Sequence, residues 1–239
     1  MSPRFIFEQV GVPGTLSAFF DECGQENKFQ PDTRHYLLTV VLHDQGNPID
    51  ALIRGYEASL RESSLPDVPF HAYDLQHRRG GYEGLGLETR KKLFARFEGL
   101  VRKLPVTYRT FSYRRSEFGD AKALSERMRR DLSAFIRDNY PELQRYATVA
   151  IYYDGGQVAA DAAIHRAFDE TLSANTADNK RLRYQERRLA QAADYFCSME
   201  LAALRYADRE ETNTYIKLFG SRRAFKANHL KQMRRKLHP

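Results

Sequence analysis

The sequence predicts an α/β protein, a layered sheet flanked by helices, and three observations carry that expectation. Short runs rich in β-branched and aromatic residues, such as HYLLTVVL at 35–42, alternate with longer stretches of helical periodicity. Hydrophobic residues make up 42% of the 239, enough for a sizeable core. Several apolar runs end in Asp or Gly, the usual punctuation of strand ends.

Taken in order, residues 15–20 read as a buried first strand that ends in the turn Asp21-Glu22-Cys23-Gly24, with Gly24 supplying backbone freedom. Residues 25–34 are a polar connection. Residues 35–42 form the second strand. Asn47-Pro48 opens a helix that runs to about residue 59, with Pro48 at an early helical position. Residues 67–72 are expected to form a short strand, which Pro69 marks as an edge or a bulge. The glycines after Arg78 and Arg79 make residues 74–86 a loop. Residues 87–102 are an amphipathic helix with Leu93, Phe97, Leu100 and Val101 on one side. A strand over 105–113 and a helix over 120–139 follow, the helix stopped by Tyr140-Pro141. Residues 146–153 are a buried strand leading into Asp154-Gly155-Gly156, and residues 157–172 are helical. Residues 173–186 are polar, with room for a short strand. Residues 187–205 form an amphipathic helix whose stripe is Leu189, Ala193, Phe196, Cys197 and Leu204. Residues 212–237 add short basic helices. The simplest partition is one α/β domain over 1–211 and a basic helical extension over 212–239.

Charge is unevenly spread. The net charge is +7, yet residues 212–239 hold eight bases and no acid, which leaves the first 211 residues at −1. The bases are Lys217, Arg222, Arg223, Lys226, Lys231, Arg234, Arg235 and Lys236. Polyanion binding is the physical reading, with nucleic acid the expected partner and all of these but Lys217 its expected contacts. Arg127, Arg129 and Arg130 read instead as a solvated helix face. No apolar stretch is long enough for a membrane span, and the first residues lack a signal-peptide run, so a cytoplasmic protein is expected. Two cysteines, Cys23 and Cys197, are too few for a disulfide framework and read as core or site-wall residues.

The candidate chemistry is acidic. Asp21 and Asp154 each end an apolar strand, and Asp194 lies at the margin of a helix stripe, where turn propensity does not explain it. Three acids brought from separate elements to one end of a sheet would hold Mg²⁺ or Mn²⁺. Adjacent strand residues face opposite ways, so Asp21 is the inward ligand and Glu22 has a secondary role. His71, with Asp74 close by, is a candidate ligand or general base, though a structural role is the plainer reading. Glu200 falls nearer the middle of the apolar face and is expected to be buried in an ion pair.

These residues resemble a bacterial family, the domain of unknown function numbered 3800. Phe19-Phe20-Asp21-Glu22-Cys23-Gly24 resembles its strand-end "DESG" opening, with Cys23 standing where serine is usual. Pro69-Phe70-His71-Ala72 is similar to its histidine motif, and Ile151-Tyr152-Tyr153-Asp154 to its apolar strand ending in Asp. Leu189-Ala190-Gln191-Ala192-Ala193-Asp194 is similar to its "LQLAD" helix. The resemblance spans roughly residues 15–235. It implies a ribonuclease-H-like fold, a mixed sheet of about five strands flanked by helices, with Asp21, Asp154 and Asp194 as the site acids and Glu22 beside them. The helix over 157–172 has no place in a minimal core of that kind. The function expected is a divalent-metal-dependent nuclease. The alternative is a non-catalytic nucleic-acid- or partner-binding protein on the same scaffold, of the sort found in mobile-element or phage-defence systems.

Overall fold

The computed structural model describes residues 14–24, 34–153, 157–172, 176–178 and 184–239. A mixed sheet lies at the centre. Four full strands, β1 (Thr15–Cys23), β2 (His35–Asp44), β3 (Val106–Arg114) and β4 (Thr148–Tyr152), are joined at the edge by a three-residue segment, β5 (Thr176–Asp178). The order is β3-β2-β1-β4-β5. β2 runs antiparallel to both of its neighbours, β1 and β3, whereas β4 pairs parallel with β1 and β5 parallel with β4.

Between β2 and β3 lie α1 (Asp50–Glu62), α2 (Ala72–His77) and α3 (Leu87–Lys103). Between β3 and β4 lie α4 (Ala121–Asp138) and the short α5 (Tyr140–Leu143), and α6 (Val158–Leu172) carries the chain from β4 to β5. The longest helix, α7 (Tyr184–Asp208), is followed by α8 (Asn213–Phe219), α9 (Arg222–Phe225) and further short helical turns to residue 236.

Strand alternation sorts the sheet residues into two cores. Phe19, Val41, Tyr108 and Tyr152 face α1, α3 and α7, and Phe20, Val40, Tyr113 and Ile151 face α4 and α6. Helix α7 lies against β1 and β2 on buried alanines at 192, 193 and 202, which let its backbone approach the sheet closely. On the other face α6 uses Ala159, Ala160, Ala163 and Ala167 against α4 and so finds its place as the β4–β5 crossover. Asp120 caps α4 by accepting the Ala123 N–H at 2.7 Å.

Two expectations change. Residues 67–72 add no strand. Phe70 is buried, stacks on Phe97 of α3 at 4.3 Å and meets Tyr195 of α7 at 6.0 Å, while His71 caps α2. Helix packing therefore claims the aromatic that an edge strand would have used, and the expected loop after it begins with α2 and a 3-10 turn at Gly80–Tyr82. The turn expected at residues 21–23 is strand instead, because β1 continues to Cys23 in register with β2.

The basic C-terminal residues are built into the larger core. Tyr215, Leu218, Phe219, Phe225 and Met233 belong to the same buried cluster as α3 and α7. Leu237 bridges to Tyr108, and the His238 N–H donates to the Tyr108 carbonyl at 2.8 Å. Of the expected nucleic-acid contacts, Arg234 grips Glu200 and Lys236 donates to the Leu104 carbonyl, while Arg222, Arg223, Lys226, Lys231 and Arg235 remain exposed.

Candidate metal and phosphate site

At the end of β1 the period-2 pattern puts Phe19, Asp21 and Cys23 on the face covered by α7. Gly24, at φ 112°, then turns the chain. A Cβ there would stand 2.7 Å from the His35 carbonyl oxygen, so the position requires glycine. From α7, residues 194, 198, 201 and 205 recur at helical spacing and present Asp194, Ser198, Leu201 and Arg205 to the same space. Residues 71–77 close a further side with His71, Tyr73 and His77. The open cavity between them has a volume of about 490 Å³ and is also bordered by Glu22, Arg34 and His35.

Asp21 and Asp194, taken from the sequence as separate candidates, thus line one cavity, and His71 and Glu22 line it with them. Asp154, the third predicted acid, lies outside the described residues. Asp194 makes no ion pair with Arg188. Arg188 turns to Asp67 at 2.8 Å and Glu57 at 3.5 Å. Asp194 instead accepts the Ala72 N–H at 2.7 Å and the Ser198 hydroxyl at 3.1 Å. Burial pushes its carboxyl above the usual carboxylate range, and the nearby His71 and these two hydrogen bonds pull partly back. His71, with a side chain 56% exposed, lies 3.1 Å from Asp74.

Around the mouth, His35 meets Asp208 at 2.9 Å and Arg34 meets Glu210 at 2.7 Å. The bond from His35 holds the Asp208 carboxyl below its ordinary value. Beneath Asp21 are the two cysteines. The ligand atoms of Asp21, Cys23 and Cys197 all lie within 4.8 Å of one another, and burial holds the Cys197 thiol well above its usual range. Among the described residues, Asp194 belongs to no such group of three. Asp21 and Asp194 share the cavity wall, and the thiols beside Asp21 make a softer donor set than carboxylates alone.

No family model, curated protein or solved structure matches this chain.

Glu200 is buried and ion-paired, as the sequence led us to expect, and its partner is the half-exposed Arg234. The sequence reading missed Arg34, His35, Ser198 and Arg205. The last two carried a legible signal, since they extend Asp194 by four and eleven residues along one helix face.

Asp194 has a measurable signature. Its folded-state carboxyl binds a proton more tightly than the unfolded chain does, so it costs stability as pH rises from the ordinary carboxylate value through the raised one. Asn at 194 keeps an oxygen for the Ala72 N–H and removes the charge. Asp194→Asn is expected to melt above the wild type at pH 7, with the difference shrinking toward pH 4. Melting curves across that range check this, and a variant that melts lower at pH 7 would contradict the burial cost.

Proposed function

We propose that the protein is a divalent-metal-dependent phosphodiester hydrolase acting on nucleic acid, built on a ribonuclease-H-like scaffold. The observation that carries this reading is the meeting of Asp21, from the central strand, and Asp194, from the covering helix, at one cavity. Three antiparallel strands followed by parallel strands entered through helices accord with such a scaffold. They also accord with the resemblance to the domain-of-unknown-function family numbered 3800.

In this reading Asp21 and Asp194 hold Mg²⁺ or Mn²⁺, with Asp154 as the third predicted ligand. The cation supplies Lewis acidity toward a phosphoryl oxygen and a water activated near neutral pH. The chain's own residues do the rest. Ala72 and Ser198 fix the Asp194 carboxylate through their hydrogen bonds. Arg34 and Arg205, both on the cavity wall, offer charge-assisted donors to phosphate oxygens. His71, half-exposed at the same cavity, is placed to move a proton to or from the leaving oxygen. The exposed bases Arg222, Arg223, Lys226, Lys231 and Arg235 add a salt-sensitive attraction for the polyanion.

The test is direct. Single- and double-stranded DNA and RNA are incubated with the protein and Mg²⁺ or Mn²⁺. Cleavage of at least one substrate, stopped by EDTA and restored by the metal, is the expected result. Salt-sensitive binding with no cleavage under either metal would overturn the hydrolase and leave a binding module.

A further inference from the structure

Two thiols stand beside Asp21 that the hydrolase does not use. Cys23 lies two residues beyond Asp21 on the same strand face, and Cys197 approaches from α7 with its thiol 3.8 Å from the Leu37 carbonyl. Neither cysteine is in a disulfide. The three ligand atoms lie within 4.8 Å of one another.

We infer that Asp21, Cys23 and Cys197 form a binding site for a divalent cation of the zinc class, with an open coordination position facing the cavity. Three properties support it. The first is donor chemistry. Two thiolates and one carboxylate select a soft or borderline cation such as Zn²⁺, not Mg²⁺. The second is support. Two donors come from the end of β1, where Asp21 pairs with Thr39 and Cys23 with Leu37 of β2, and the third from a helix packed on that strand, so all three sit on regular elements. A tetrahedral zinc keeps such donors about 3.4–3.8 Å apart. The three ligand atoms, within 4.8 Å of one another, stand no more than about 1–1.4 Å beyond that spacing. The third is access. Asp21 and Cys23 line the cavity, whereas Cys197 is fully buried behind them. The fourth position of the tetrahedron therefore opens toward the cavity, the arrangement of a site that keeps a place for water or substrate. Ser198 closes the neighbouring side, its hydroxyl 3.6 Å from the Cys23 sulfur.

This site shares Asp21 with the proposed hydrolase site but does not rest on that reading, and it is read without nucleic acid. Metal-free, reduced protein is titrated with Co²⁺ alone. The expected result is an intense near-ultraviolet thiolate-to-cobalt absorption that saturates at one equivalent. Zn²⁺ abolishes it, in line with its tighter binding to such donors, and excess Mg²⁺ leaves it in place. Cys197→Ser and Cys23→Ser lose the band. Cys23 is only partly buried, so its variant tests the site even if the buried Cys197→Ser fails to fold. Asp21→Asn weakens cobalt binding by about 10-fold or more, the loss that follows removal of even an outer partner. Asp194→Asn, which strikes the hydrolase, keeps the band. Absence of the band in the wild type, or its persistence in folded Cys23→Ser, overturns the site. Absence of nuclease activity with the band intact overturns only the hydrolase.

Discussion

Asp21→Asn is expected to abolish metal-dependent cleavage while leaving the protein folded. Asn matches Asp in volume and keeps one oxygen, so strand register and packing are undisturbed. It removes the negative charge that an oxygen-seeking cation requires. The fall in rate should be on the order of 10²–10³-fold or more, the scale on which a single electrostatic contact to a transition state acts. The side chain is only partly buried, so unfolding free energy should change by about 1 kcal/mol or less. Cleavage rates and urea unfolding on the same preparation decide the matter. Undiminished Mg²⁺- or Mn²⁺-dependent cleavage by the variant would remove Asp21 from the site and the hydrolase with it.

The largest effect on stability is expected at Glu200. Its Oε1 accepts the Tyr108 hydroxyl at 2.8 Å and the Arg234 Nε at 3.0 Å, and its Oε2 accepts an Arg234 Nη at 2.6 Å. Tyr108 is wholly buried and stacks on Phe196 at 4.1 Å, so its hydroxyl has no route to water once the carboxylate is gone. Burial and the adjacent carboxylate already hold that phenol above its ordinary value. Glu200→Ala should cost about 2–4 kcal/mol. The figure falls short of a fully buried pair because the Arg234 side chain, 46% exposed, can turn to solvent. The double variant Glu200→Met, Arg234→Met should recover part of that loss by refilling the space, while the Tyr108 hydroxyl stays without its acceptor. Urea unfolding checks both. A loss below about 0.5 kcal/mol for Glu200→Ala would mean that this pair does not pin the C-terminal residues to the core.

Elements whose stabilising contacts follow local periodicity were legible in the sequence. The helix at 87–102 appears as Leu87–Lys103, and the strand at 35–42 as His35–Asp44. Where long-range packing decides, the pattern misleads. Pro69-Phe70-His71-Ala72 alternates like a strand, but Phe70 is taken by α3 and α7. The C-terminal residues read as a charged appendage because eight bases dominate the composition. Phe225 and Met233, hidden among them, anchor the segment in the core. At the site, period-2 and period-3.6 reasoning selected Asp21 and Asp194, and the cavity contains both. The approach of Cys23 to Cys197 crosses 174 residues, and no local spacing encodes it. Glu200 was legible as a buried acid because helical periodicity is local, and its partner was not, because Arg234 is 34 residues away.

The docking of Leu237 and His238 onto Tyr108 bears on how copies of this chain treat one another. β3 is one of the two outer strands described, and an outer strand with bare N–H and C=O groups is a template for edge-to-edge pairing. The final residues occupy part of that rim and so act as a stopper. A molecule shorn of them would lose an intrinsic guard against self-association, quite apart from any change in its chemistry.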